Sequence, residues 1–106
     1  MNSESDLKIL MAYHIKIKEE YWENLSEVFE YYSQISEDLA LRFYRETDVL
    51  LNEITMRPLS FQVQTKNYRQ ALVKSFPFQI IFEIIQNEIV VYTLFPAKAN
   101  PDKKPK

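Results

Sequence analysis

From Ala12 to Lys18 the chain alternates. Tyr13, Ile15 and Ile17 fall on one side and His14, Lys16 and Lys18 on the other, a period of two that predicts a half-buried strand. The period then changes. In EEYWENLSEVFEYYSQI, Trp22, Leu25, Val28, Phe29 and Tyr32 recur at helical spacing, and Glu20, Glu23, Glu27 and Glu30 take the opposite side. This predicts an amphipathic helix with Trp22 in its buried stripe and a solvated glutamate face. Ser36, followed by Glu37 and Asp38, reads as an N-cap whose acids suit the helix dipole. The helix it opens buries Leu39, Ala40, Phe43, Thr47, Leu50, Leu51 and Ile54. Pro58 ends it, because the residue before a proline avoids the helical region. Two such helices joined by a short turn form an αα-hairpin.

The segment LSFQVQTKN after Pro58 has no helical period and reads as a loop or a short irregular strand. Three strand-like runs follow: Tyr68 to Lys74, Phe78 to Ile85, and Glu88 to Phe95. Gln86-Asn87 is the turn between the last two. The chain contains no glycine, so Asn87 is expected to take the positive φ that glycine usually supplies. Pro77 lacks a donor and belongs at a strand start or an edge, with Phe76 and Phe78 anchoring that corner in the core. The resulting architecture is α+β: an N-terminal strand, a helical hairpin, then a three-stranded antiparallel meander, with the helices on one face of an antiparallel sheet. Residues 11–97 make up this domain. Residues 1–10 read as an N-terminal extension, and residues 98–106 as a basic, proline-broken tail expected to be mobile in isolation.

Composition narrows the chemistry. With 106 residues, 46% hydrophobic, the chain fits one domain able to fold without staples. The absence of cysteine removes disulfides, thiolate metal sites and cysteine nucleophiles. One histidine, His14, on the polar side of its strand, leaves no basis for a zinc site or a Ser-His-Asp triad. Without glycine there is no phosphate-cradling loop, so no nucleotide cofactor is expected. No run approaches the roughly 18 apolar residues of a membrane span, and the acidic start, MNSESDLKIL, is unlike a secretory signal. A cytoplasmic protein is expected. The net charge of −2 hides a division: Glu19 to Arg57 holds ten acids and three bases, and Pro58 to the end holds seven bases and three acids. Partners must therefore be considered face by face.

The order of elements, the Phe76-Pro77-Phe78 corner, the run FPFQIIFEIIQNEIVVYTL and the helix DLALRFYRETDVLLNEI resemble the RelE/ParE superfamily of toxins from bacterial toxin–antitoxin pairs. The likeness spans about Tyr13 to Pro101. It implies a small plasmid-stabilising type of toxin, neutralised by a cognate antitoxin whose C-terminal segment wraps around it, as a hetero-oligomer or beside a homodimer. RelE-like members cut messenger RNA in the ribosomal A site. ParE-like members act on DNA gyrase and are not known as nucleases.

Cutting RNA through its 2′-hydroxyl requires a deprotonated hydroxyl, a stabilised phosphorane and a protonated leaving oxygen. RelE-like ribonucleases meet this need with Lys and Arg on the sheet and a Tyr or His near the C-terminus. Arg69 and Lys74 are the cations available on the first meander strand, and their spacing of five directs them to opposite faces. Gln79 stands where those ribonucleases place an arginine, and past the last strand only Lys98 is charged. Downstream of Tyr92 there is no Tyr or His, and Tyr92 itself, inside an apolar strand, is expected in the core. No catalytic residue is assigned. Arg69, Lys74, Lys98, Lys103 and Lys104 are the candidates for contact with the target or the antitoxin. The resemblance favours a ParE-like protein that binds DNA gyrase. The alternatives are a RelE-like nuclease with the ribosome as target, and a degenerate homologue that only binds its antitoxin.

Overall fold

The computed structural model describes residues 13–97. Strand β1, His14–Ile17, leads into helix α1, Glu19–Ile35, and helix α2, Glu37–Met56. A single 3-10 turn, Pro58–Ser60, precedes four strands: β2 Val63–Thr65, β3 Tyr68–Leu72, β4 Phe78–Ile85 and β5 Glu88–Pro96. The extension and the tail inferred for residues 1–10 and 98–106 lie outside the described residues. The α+β architecture with both helices on one sheet face is the expected one, although the sheet differs in two respects. It has five strands in the order β1-β5-β4-β3-β2, so part of the segment read as a loop or irregular strand is β2. It is also mixed, because β1 runs parallel to β5, Ile15 beside Ile89 and Ile17 beside Val91. The helical hairpin carries the chain from β1 back to the opposite side of the sheet, and the meander then returns strand by strand until β5 meets β1.

The helices form where the sequence pattern places them. The Ser36 hydroxyl accepts from the Leu39 N–H at 3.2 Å, which satisfies one of the unpaired donors at the start of α2. Ala40, Phe43, Thr47, Leu50 and Ile54 are its buried stripe. In α1 the buried side is Tyr21 and Leu25, with Val28 and Tyr32 packed on the core. Trp22 is not part of it. One residue around the helix from Tyr21, it stands 45% exposed with its ring edge-on to Tyr21 at 5.1 Å. The stripe is thus rotated by about one position from the one read in the sequence.

The proline corner is a packing device. Phe76 and Phe78 turn inward on either side of Pro77 and meet Phe43 at 5.2 and 5.5 Å between ring centroids, with Tyr32 at 5.3 Å from Phe76. Such edge-to-face pairs add to the burial of the rings themselves. Pro77 has no N–H to give, but its carbonyl accepts from Ala97 at 3.0 Å, so the corner also fixes the end of β5.

The chain has no glycine, and among the described residues three others adopt positive φ: Lys66, Ser75 and Gln86. At the β4–β5 turn it is Gln86, φ 59°, and not Asn87 as expected. Asn87 instead presents its carbonyl to the His14 N–H at 2.9 Å, tying β1 to the turn. A Cβ in the left-handed region costs about 1–2 kcal/mol. Gln86→Gly removes that cost and returns part of it as unfolded-state entropy, so the variant is expected to be about 0.5–1 kcal/mol more stable by urea denaturation. An unchanged or lower midpoint would mean that the Gln86 side chain contributes contacts of its own.

Candidate functional site

The two faces of the sheet are unlike. The face under the helices holds Ile80, Phe82, Ile89, Val91 and Leu94, all nearly or fully inaccessible. Among the described residues no helix lies on the other face, yet Ile81 and Val90 are only 8% and 5% exposed there. Neighbouring side chains on this open face provide much of the apolar surface of its cleft. About 330 Å3 in size, the cleft is lined by Gln64 and Thr65 of β2, Tyr68 of β3, Ile81 of β4, and Tyr92, Thr93 and Phe95 of β5.

A β-bulge shapes this cleft. Ile81 pairs with Thr93 and Phe82 with Val91, which leaves Tyr92 as the extra residue of β5. A bulge of this kind shifts the alternation by one. It returns Leu94 to the helix face and leaves Tyr92 on the open one. Tyr92 is half-buried, not a core residue as expected. Its hydroxyl donates to Glu83 Oε1 at 2.8 Å, and its ring meets that of Tyr68 at 5.6 Å and 74°. Tyr68 is the cross-strand partner of Glu83, so the three residues form one group. The hydrogen bond to Glu83 and then burial push the Tyr92 hydroxyl up to about 12. Beyond the end of β1 the free edge of β5 is satisfied from α1: Asn24 Oδ1 accepts from the Leu94 N–H at 3.2 Å and from the Thr93 hydroxyl at 2.7 Å.

The sequence-predicted cations lie elsewhere. Arg69 pairs with Phe82 and is on the helix side, where its Nη1 donates to the Phe61 carbonyl at 2.6 Å. Phe61 packs edge-on against Phe82 at 5.7 Å, so Arg69 secures the connection into β2. Lys74 follows β3 in the turn and lines a depression beside α2 with Glu46, Val49, Leu50, Glu53 and Leu72. The two side chains are not brought together; Lys74 stands in the turn beyond β3, so the strand spacing does not set its direction. Lys98, Lys103 and Lys104 lie outside the described residues. Gln79 is 3% exposed, too enclosed to act as an exposed anion contact. Glu83, Tyr68 and Tyr92 were not among the candidates. Alternation alone places Glu83 opposite Phe82 on the open face and Tyr92, next to Val91, on the same face; no sequence signal marks the bulge that adds Thr93 to it.

A second surface lies on the helical hairpin, where Trp22, Leu25, Ser26, Phe29 and Tyr44 line a shallow apolar groove. Among the described residues no helix is long and apolar enough to cross a membrane.

The chain matches no protein-family model and no curated protein. It is similar to a chain in a solved structure of a chromosomal ParDE TA system from P. aeruginosa, with a TM-score of 0.74 and 13% identity. The match covers 83% of this chain and 99% of that one. At this identity the likeness is one of fold, and the fold is the RelE/ParE-like one.

Proposed function

We propose that this chain is the toxin of a toxin–antitoxin pair and acts as a ParE-like binder, arresting growth by engaging a target such as DNA gyrase in the cytoplasm. A cognate antitoxin neutralises it. The fold shared with the ParDE TA system supports the toxin reading. The observation that separates binder from nuclease is the place of Arg69. Its guanidinium is held by the Phe61 carbonyl on the helix side, and no Lys or Arg is among the residues lining the open cleft. A scissile phosphate in the cleft would meet no cation among the lining residues to stabilise its developing charge.

One observation favours the nuclease as the second reading. Tyr92 places a hydroxyl, paired with a carboxylate, on the open face where a proton donor would act. Its pKa of about 12 makes it a weak acid for that work at neutral pH.

The test is pulse-labelling of protein and DNA synthesis in a bacterial host, minutes after inducing the chain without antitoxin. Continued protein synthesis while DNA replication fails is the expected result. Immediate collapse of amino-acid incorporation would favour the nuclease. Unimpaired growth, with soluble folded protein in the same cells, would leave only a homologue that binds its antitoxin.

A further inference from the structure

The Tyr68–Tyr92–Glu83 group has a chemistry of its own. Two tyrosine rings stand nearly perpendicular, 5.6 Å apart, beside a carboxylate that the Tyr92 hydroxyl holds by one oxygen at 2.8 Å. Among the described residues the sole ion pair is that of Arg57 with Glu53, so no cation is paired with Glu83. The adjoining cleft of about 330 Å3 has Ile81 as an apolar surface and Thr65 and Gln64 at the β2 side. We propose that this cleft receives one arginine side chain presented by a protein partner. The inference takes from the toxin reading only that such a partner exists.

Each part of the arrangement matches a part of that side chain. A guanidinium stacks on aromatic faces, and its planar fork pairs with a carboxylate through two N–H groups. Glu83 is already oriented, so less freedom is lost when it is engaged. The methylene stem of the arginine covers Ile81, as long cationic side chains commonly cover apolar surface. Lysine fits less well, because its ammonium is a strongly hydrated point charge without a plane to stack. A nucleotide fits worse still. Its base could stack on the tyrosines, but its phosphate would enter a cleft without a lining Lys or Arg.

The experiment is an NMR titration of the full chain, labelled with 15N, against N-acetyl-arginine-methylamide, the lysine equivalent and adenosine 5′-monophosphate. The arginine compound is expected to shift the amides of Tyr68, Glu83 and Tyr92 in a saturable way, and more tightly than the lysine compound. Glu83→Gln is expected to weaken binding by about fivefold or more, and the exposed Glu27→Gln to leave it unchanged. Resonances of the helical core in the same spectra report whether each variant remains folded. Arginine binding that is unaltered in Glu83→Gln, no shifts with arginine, or stronger shifts with the nucleotide would each overturn the proposal. Failure here leaves the growth experiment untouched, since the titration reads a single side-chain contact in the purified chain.

Discussion

Phe43→Ala is expected to cost about 3–5 kcal/mol of folding stability. Phe43 has no accessible surface, and its ring is the one that Tyr32, Phe76 and Phe78 all meet, at 5.4, 5.2 and 5.5 Å. Its neighbours are held by different elements: Tyr32 by α1, and Phe76 and Phe78 by the proline corner. They cannot all move inward to close the space, so a cavity remains in addition to the lost transfer energy. Total stability for a domain of this size is about 5–15 kcal/mol, so the variant forfeits a large share of it. Urea denaturation at neutral pH reads the effect directly. The contrast is Trp22→Ala, a larger truncation at a half-exposed position, for which a loss of no more than about 1 kcal/mol is expected. A loss at Phe43 below that of Trp22 would mean that the aromatic cluster is not the keystone of the corner.

Stability is expected to hold up to about pH 10 and then to fall steeply towards pH 12, with Tyr21 as the main cause. Tyr21 has no accessible surface, and its hydroxyl is the one buried side-chain polar atom without a hydrogen-bond partner among the described residues. Burial pushes the hydroxyl up to about 12, and the nearby Thr47 hydroxyl, already donating to the Tyr44 carbonyl at 2.7 Å, offsets only a part. In the unfolded chain a tyrosine ionises near 10. Below pH 10 both states keep the proton and the linkage changes nothing. Between 10 and 12 the unfolded state alone releases it, so the equilibrium moves towards unfolding as pH rises. A two-unit difference amounts to about 3 kcal/mol. Tyr92 shifts in the same direction, but it is partly open to solvent and its share is smaller. Denaturation midpoints of the parent chain and Tyr21→Phe at pH 8, 10.5 and 11.5 test this. Tyr21→Phe is expected to match or exceed the parent at pH 8, since it removes an unsatisfied hydroxyl, and to lose less at pH 11.5. Parallel alkaline losses in both proteins would place the cause elsewhere.

The candidate site was legible only in fragments. Arg69 and Lys74 were identifiable as cations on or near β3, but strand parity does not govern the pair, because β3 ends at Leu72 and Lys74 stands in the turn beyond it. That Arg69 turns to the Phe61 carbonyl depends on how the 3-10 turn at Pro58 brings Phe61 over Phe82, a contact between residues 21 positions apart. Trp22 shows the same limit on a helix. A stripe of apolar residues wider than the core needs leaves the choice between Tyr21 and Trp22 to the packing partner, and the sheet accepts Tyr21.

The sequence by itself determined the elements and much of their facing. A period of two for β1, a helical period for α1 and α2, the Ser36 cap and the two prolines are local signals, each read over a few residues with no knowledge of what lies across the core. The tertiary structure decided what those signals leave degenerate: the place of β1 beside β5, the pairing of β2, and the register of β5. The last matters most for function. Strand pairing accommodates one extra residue at Tyr92 because Leu94 gains a buried place on the helix side. That exchange, set by burial across the sheet and not by the local pattern, turns Thr93 onto the open face with Tyr92 and Ile81 and makes the cleft.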